Sequence, residues 1–348
     1  MLRIAAYPLH GEPYTECFYE ALRKKGVAIA DGKFSIRWLI KEVTAIDYFH
    51  LHWPSMWYAY RDDLRKTVHA LIRMLVYLAI IRIKGKRIIW TAHNLYPHEK
   101  GGRVNAAINV AVRHALTQVA TLVLVHGPAA AKIVAREFPA SKRKLLTIDH
   151  GHFVNSYRNE MPKPLARKKL GIPDGDFVFL FIGKCRRYKN IHELIPAFRK
   201  ISGAVRLLVV GKFHEESYRR EIGEIVAEQD DRITMIPKHI ADDDLQMYLN
   251  ASDAVVLPYS EILTSGAAML AISYGRPVIA PNTGYLTDVI NSDCGLLYEG
   301  EDPNGLLEAM MEVQNKSFDE QRIIKHALTY DWDSIADIVY ARIAESGP

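Results

Sequence analysis

Apolar residues recur along this chain in short runs that alternate with helically spaced ones, and the alternation starts again past the midpoint. In the first half the strand-like runs are LRIAAY (2–7), FSIRWLI (34–40), YFHLHW (48–53), RIIWTAHN (87–94) and TLVLVHG (121–127). Between them, residues 16–26, 62–83 and 104–117 repeat apolar side chains three to four apart, the spacing of one helix face. Strands alternating with helices predict a parallel sheet covered on both faces. A polar stretch at 155–168 interrupts the pattern. It resumes with FVFLFIG (177–183), NIHELIPAFRKI (190–201), VRLLVVG (205–211), a helix over 215–228, ITMIP (233–237), DDDLQMYLNAS (242–252) and AVVLPY (254–259). The pattern predicts an α/β protein of two doubly wound, Rossmann-like domains, residues 1–158 and 166–328. A last helix over 332–344, within the segment 329–348, is expected to pack back towards the first domain.

One segment carries more than periodicity. In residues 258–281 a strand over 254–257 runs into the turn Thr264-Ser265-Gly266, which feeds a small-residue helix over 267–274. Gly275-Arg276-Pro277 stops that helix before a buried strand over 278–280. Unpaired N–H groups and the dipole at a helix start favour an anion. A second anion signal follows the strand ending at Gly183, where a turn gathers Lys184, Arg186, Arg187 and Lys189. Four cations at the carboxyl end of a strand suit a diphosphate. Neither GxGxxG nor GxxxxGK[ST] occurs, so a dehydrogenase or P-loop reading lacks its fingerprint. The Asp242-Asp243-Asp244 run precedes LQMYLN and reads as a helix cap rather than a metal site.

Composition adds little until charge is divided along the chain. The 348 residues, 49% hydrophobic and 24% charged, are globular values for two domains. Cys17, Cys185 and Cys294 share no metal-like spacing and are too few for a disulfide framework, which favours a reducing, cytoplasmic setting. The amino-terminal apolar run ends by Pro8, too short for a signal peptide, and residues 68–83 are interrupted by Arg73 and Arg82. Residues 1–165 hold 25 Lys and Arg against 12 Asp and Glu, a net +13, and the remainder 20 against 28, a net −8. That asymmetry predicts an anionic partner for the first half. No RNP, zinc-finger or basic-helix motif is present, which argues against nucleic acid. Arg61, Arg65, Lys66, Arg73, Arg82, Lys84, Lys86 and Arg87 surround the apolar helix as in interfacial helices, so an anionic membrane surface or lipid-linked acceptor fits better.

Together, G-K-x-R-x-x-K (183–189) and the run from Ser265 to Pro281 containing Y-G-R-P-V-I-A-P resemble glycosyltransferases of the GT-B fold. GKF (211–213), PKHI (237–240) and TGYLTDVI (283–290) extend the likeness over the second half. In the first half HLHWP (50–54) and WTAHNLYPHE (90–99) resemble bacterial exopolysaccharide enzymes of the xanthan type, β-mannosyltransferases that use GDP-mannose and a polyprenyl-diphosphate-linked oligosaccharide. The resemblance implies two domains facing a cleft. It implies a hexosyltransferase with a nucleotide sugar as co-substrate, no metal ion or other cofactor, and a place on the inner face of the cell membrane. Retaining relatives carry two glutamates eight positions apart. Aligned on Gly275, the second falls on Leu270 and the first on Ile262, next to Glu261, and Leu270 favours an inverting reaction. A retaining enzyme using Glu261, a UDP-sugar-dependent glucosyl or glucuronosyl transferase, and a non-catalytic nucleotide-sugar-binding protein remain alternatives.

An inverting displacement needs a base for the acceptor hydroxyl. Glu12 after the first strand, and His93, His98 and Glu99 after RIIWTA, are the candidates, with Glu99 and Glu12 favoured. His52, Trp53, Asn94 and His126 are expected to shape the acceptor pocket, with His50 flanking it. For the donor diphosphate the expected groups are Gly183, Arg186, Lys189, Thr264, Ser265 and Gly266. For the nucleotide and sugar they are Lys184, His239, Ile240, Glu261, Gly284 and Tyr285.

Overall fold

The computed structural model describes residues 1–58, 63–96, 103–227 and 230–345. They form two compact α/β units, Met1–Gly151 with Asp331–Pro348, and His152–Tyr330.

The first unit is built on six parallel strands, β1 (Arg3–Tyr7), β2 (Ala28–Asp31), β3 (Tyr48–Leu51), β4 (Arg87–Thr91), β5 (Leu122–His126) and β6 (Leu145–Ile148). Their order is β2-β1-β3-β4-β5-β6. Central β3 and β5 are buried at every position, as a sheet covered on both faces requires. One strand differs from the sequence expectation. FSIRWLI alternates apolar and polar residues, yet residues Ile36–Glu42 are helical. Ser35 caps that helix by accepting the Trp38 N–H, and Leu39 is its one buried side chain. The strand lies earlier, in the half-exposed Ala28–Asp31 at the sheet edge.

The helix Leu64–Ile83 turns Thr67, Ala70, Met74, Tyr77, Leu78 and Ile81 inward. Tyr77 meets the stacked Phe34–Trp57 pair, whose ring centroids lie 4.0 Å apart. The final helix, Trp332–Glu345, belongs to this unit. The Trp332 indole lies so close to Gly151 that a β-carbon there would fall 2.2 Å from the ring, so only glycine fits. Surface pairs Lys24–Asp333 (3.2 Å) and Lys25–Asp337 (2.7 Å) accompany this packing but, screened by solvent, add little to it.

The second unit has six parallel strands, β7 (Phe177–Ile182), β8 (Val205–Val210), β9 (Ile233–Ile236), β10 (Ala254–Val256), β11 (Val278–Pro281) and β12 (Gly295–Tyr298). Their order, β12-β11-β10-β7-β8-β9, is the doubly wound dinucleotide-binding arrangement, and its direction reverses between β7 and β10. Ligands of open α/β sheets bind outside the carboxyl ends of strands at such a reversal. Both anion-site segments begin there, one after β7 and one after β10. The YGRP run serves the fold: Gly275 takes φ +68° after the helix Gly266–Ser273, and a β-carbon there would strike Glu320. Arg276 is buried, donating to the Tyr274 carbonyl (2.9 Å) and pairing with Glu320.

Candidate active site

Two loops of the second unit meet at the reversal point. Gly183 leaves β7 with φ +131°, a conformation glycine adopts at no steric cost. The chain then passes Lys184 and Arg186 into a short 3-10 turn, Arg187–Lys189. The Ser260 N–H and hydroxyl both donate to the Tyr188 carbonyl, at 2.9 and 3.1 Å, which ties the loop after β10 to the loop after β7. Lys189 bridges them. Its ammonium lies 4.8 Å from the Tyr259 ring centroid, 5.9 Å from that of Phe181, and against the Gly183 α-carbon. A β-carbon on Gly183 would stand 3.2 Å from the ammonium.

Lys189 is 8% exposed, and no carboxylate pairs with it among the described residues. Burial lowers it to about 8, with the Arg186 and Lys184 charges pushing the same way. A cation so held, beside two more, is poised for a polyanion. Arg187 is placed elsewhere, on the surface, where it forks onto Glu221.

Further along the loop after β10, the helix Gly266–Ser273 opens with Ser265 as its cap. The Ser265 hydroxyl accepts the Ala268 N–H at 3.1 Å, a bond that caps the helix with the hydroxyl's acceptor and not with its O–H donor. The Thr264 hydroxyl beside it is buried with no partner among the described residues. The Gly266 and Ala267 N–H groups have no acceptor among the described residues and lie at the positive end of the helix.

A third turn closes on these two. Gly284 takes φ +55°, and a β-carbon on it would stand 2.5 Å from the Ile262 carbonyl oxygen, so the turn after β11 rests on the loop after β10. Tyr285, in this turn, is the aromatic side chain expected at the nucleotide or sugar. It is fully buried, with its hydroxyl 3.5 Å from the Met269 sulfur. Glu261 and His239 are exposed, Ile240 is buried, and Leu270 is half-buried on the helix. Asp242–Asp244 form a 3-10 turn before the helix Leu245–Ala251 with no side-chain cap bond, contrary to the capping role read from the sequence. Among the described residues no group of three or more His, Cys, Asp or Glu is placed to hold a metal ion.

In the first unit the carboxyl ends of four adjacent strands each carry a histidine: His52 after β3, His93 after β4, His126 ending β5 and His150 after β6. Ring centroids run 5.3 Å from His52 to His93, 5.3 Å to His126 and 5.3 Å to His150. Tyr14 packs against all four and against Trp332, its hydroxyl 2.8 Å from His126 Nε2. Trp53 stacks on His93 at 4.4 Å.

Of this row His52, His126 and His150 are buried, while His93, Trp53 and Asn94 are half-buried. Burial lowers every member: His150 to about 4, His50 to about 3, and His52, His93 and His126 well below the usual imidazole value. Glu12 stands at the start of the helix Pro13–Lys24, where its carbonyl accepts the Thr15 N–H and hydroxyl. His98 and Glu99 lie outside the described residues. Tyr14, Tyr19, Thr91 and His150 were missed by motif reading. The signal available for His150 was a histidine at the end of successive strand-like runs.

Comparison with known proteins agrees with this geometry. Residues 176–316 match the family model "Glycosyl transferases group 1". The GDP-mannose:glycolipid 4-beta-D-mannosyltransferase of Xanthomonas campestris pv. campestris is 26% identical over 308 residues, 86% of this chain and 79% of that protein. The D-inositol 3-phosphate glycosyltransferase of Corynebacterium urealyticum is 26% identical over 62% of this chain and 55% of its own length. Among solved structures, sucrose-phosphate synthase from Thermosynechococcus elongatus superimposes with a TM-score of 0.74 at 19% identity over the full length of both chains. Anabaena HepE, solved with UDP and glucose, gives 0.72 at 16% identity over 99% of this chain and 100% of that one. The chain is a glycosyltransferase with the GT-B fold, and its second unit carries a glycosyl transferases group 1 domain.

Proposed function

We propose that the protein transfers mannose from GDP-mannose, with inversion and without a metal ion, to a hydroxyl of a polyprenyl-diphosphate-linked oligosaccharide during bacterial exopolysaccharide synthesis. The observation that carries the reading is Lys189: a buried ammonium with no paired carboxylate among the described residues, on the loop tied to the one that leads to the Thr264 hydroxyl and the start of the helix Gly266–Ser273. Such a site stabilises the negative charge that grows on a departing nucleoside diphosphate, the work a divalent ion does elsewhere. The mannosyl and glycolipid assignments rest on the Xanthomonas relative. Inversion rests on Leu270, an apolar side chain where retaining relatives place a glutamate.

The acceptor's lipid is proposed to bring the first unit to the cytoplasmic face of an anionic membrane. On the helix Leu64–Ile83, Val68 (40%), Ile72 (56%), Leu75 (41%), Val76 (47%) and Ile83 (82%) stay exposed although the opposite face is buried. Arg65, Lys66, Arg73, Arg82 and Lys84 are exposed around them, and residues 64–83 contain no acidic side chain. No described helix is long and apolar enough to cross a membrane. Exposed apolar side chains ringed by cations are the pattern of a helix lying in the interface.

A thermal-shift panel of GDP, UDP and dTDP with their sugars tests the donor, with stabilisation by GDP and GDP-mannose expected. Preference for UDP refutes the mannosyl assignment. Proton NMR of the product anomer decides between inversion and retention.

A further inference from the structure

The histidine row is joined from within by hydrogen bonds whose protons can be counted. The Thr91 hydroxyl lies 2.8 Å from His50 Nε2, and His50 Nδ1 lies 2.7 Å from the Tyr19 hydroxyl. That hydroxyl lies 2.7 Å from His52 Nε2, and His52 Nδ1 lies 3.0 Å from His93 Nε2. Thr91, His50, Tyr19 and His52 are all buried, and His93 is half-buried with Nδ1 as its remaining ring nitrogen. Burial keeps these imidazoles neutral and raises Tyr19 well above the usual phenol value, so each group carries one mobile proton.

One proton per link leaves two arrangements for the whole chain. In one, every group donates inwards, so that His50 Nε2–H donates to the Thr91 oxygen and His93 Nδ1 is a bare lone pair. In the other, every group donates outwards: Thr91 O–H to His50, His50 Nδ1–H to Tyr19, Tyr19 O–H to His52, and His52 Nδ1–H to His93 Nε2. His93 then presents Nδ1–H. The Thr91 hydroxyl has no second partner among the described residues. The inward arrangement therefore orphans a buried O–H, which disfavours it by about five- to 150-fold.

We propose that Thr91, through His50, Tyr19 and His52, fixes His93 as an Nδ1–H donor that binds an oxygen of the sugar substrate, rather than as the base that deprotonates the acceptor. His93 touches the substrate, and the other four are positioning residues. The proposal rests on the transferase reading above, and it removes His93 from the candidate bases, leaving the acceptor proton to a carboxylate.

Two measurements on the full chain test it. Long-range 1H–15N spectra of 15N-histidine protein report tautomers directly: His50, His52 and His93 are each expected as Nδ1–H. In Tyr19→Phe, which cuts the chain, both tautomers are expected at His93. An Nε2–H or mixed signal at His93 in the wild type, or no change in the variant, overturns the proposal. In transfer assays His93→Ala is expected to lose about tenfold or less, mainly as a rise in KM, because one neutral hydrogen bond is lost. His93→Asn, whose amide N–H stands near the position of Nδ1, is expected to recover most of that loss. A fall of about a hundredfold or more in kcat for both variants marks a general base and overturns it. If the wild type transfers no sugar at all, the transferase reading fails while the tautomer spectra still decide the donor assignment.

Discussion

Replacing Lys189 with Met separates what the donor site does from what it costs. Lys189 titrates near 8 in the folded protein because burial disfavours its charge, against 10.5 for an ordinary lysine. The folded value lies below the unfolded one, so the unfolded chain holds the extra proton between pH 8 and 10.5. Stability therefore rises with pH across that window, and the penalty is fully present below pH 8. At 1.36 kcal/mol per pH unit it amounts to about 3 kcal/mol. Lys189→Met keeps most of the stem and removes the charge. It also forfeits the ammonium contacts to Tyr259 and Phe181, worth about 1 kcal/mol together. The unliganded variant is then expected to gain about 2 kcal/mol at pH 7, a rise in Tm of about 4–8 °C for a unit of this size. The gain should vanish when the comparison is made near pH 10. The same variant should lose stabilisation by nucleoside diphosphate, and transfer should fall about 10²–10³-fold because the departing charge has lost a preorganised partner. Differential scanning fluorimetry at pH 7 and 10, with and without GDP, reads all but the rate. A variant that is less stable than wild type without ligand at pH 7, or that still binds GDP normally, refutes the reasoning.

Thr264→Val keeps shape and removes a buried hydroxyl that has no partner among the described residues. Stability should be unchanged or higher by up to about 1 kcal/mol, while the donor KM rises about tenfold. In Gly284→Ala the new methyl meets the Ile262 carbonyl at 2.5 Å on a backbone of φ +55°. Urea unfolding should show a loss of about 1–3 kcal/mol, with weaker donor binding as the loop after β10 is displaced. Flotation with anionic liposomes should recover the protein at low salt and lose it at high salt. Ile72→Asp combined with Leu75→Asp should abolish the recovery at low salt, and wild-type flotation by the double variant would sink the interfacial role of the helix.

Much of the second unit was legible because its signals are local. Gly183, Lys189 and the Thr264–Gly266 turn each lie within a few residues of the strand that positions them, so spacing alone placed them at the sheet edge. The misreadings have local causes too. FSIRWLI has a period of two by accident of composition, and what decides it is a serine cap and one buried leucine, neither visible as periodicity. Tyr285 is named from its turn as a nucleotide or sugar contact, and spacing carries no sign that its hydroxyl is buried against the Met269 sulfur. Ser265 reads as a ligand hydroxyl, and what spacing does not show is that its acceptor also caps the helix through the Ala268 N–H.

The first unit resists sequence reading for a different reason. Its candidate chemistry is spread from Tyr14 to Trp332, and each histidine taken singly is as well explained by the core. Only the order β3-β4-β5-β6 brings His52, His93, His126 and His150 into one row, and only packing of the helix Pro13–Lys24 inserts Tyr14 and Tyr19 among them. Once assembled, the row argues against the role its residues invited. Histidines attract a general-base assignment because they titrate near neutrality, yet burial holds these far below it. A neutral imidazole whose inner nitrogen is already an acceptor has only a donor left to offer. Under the proposed inverting reaction the base is then a group that can still take a proton, and Glu12, after β1 on this same sheet edge, is the described candidate that remains.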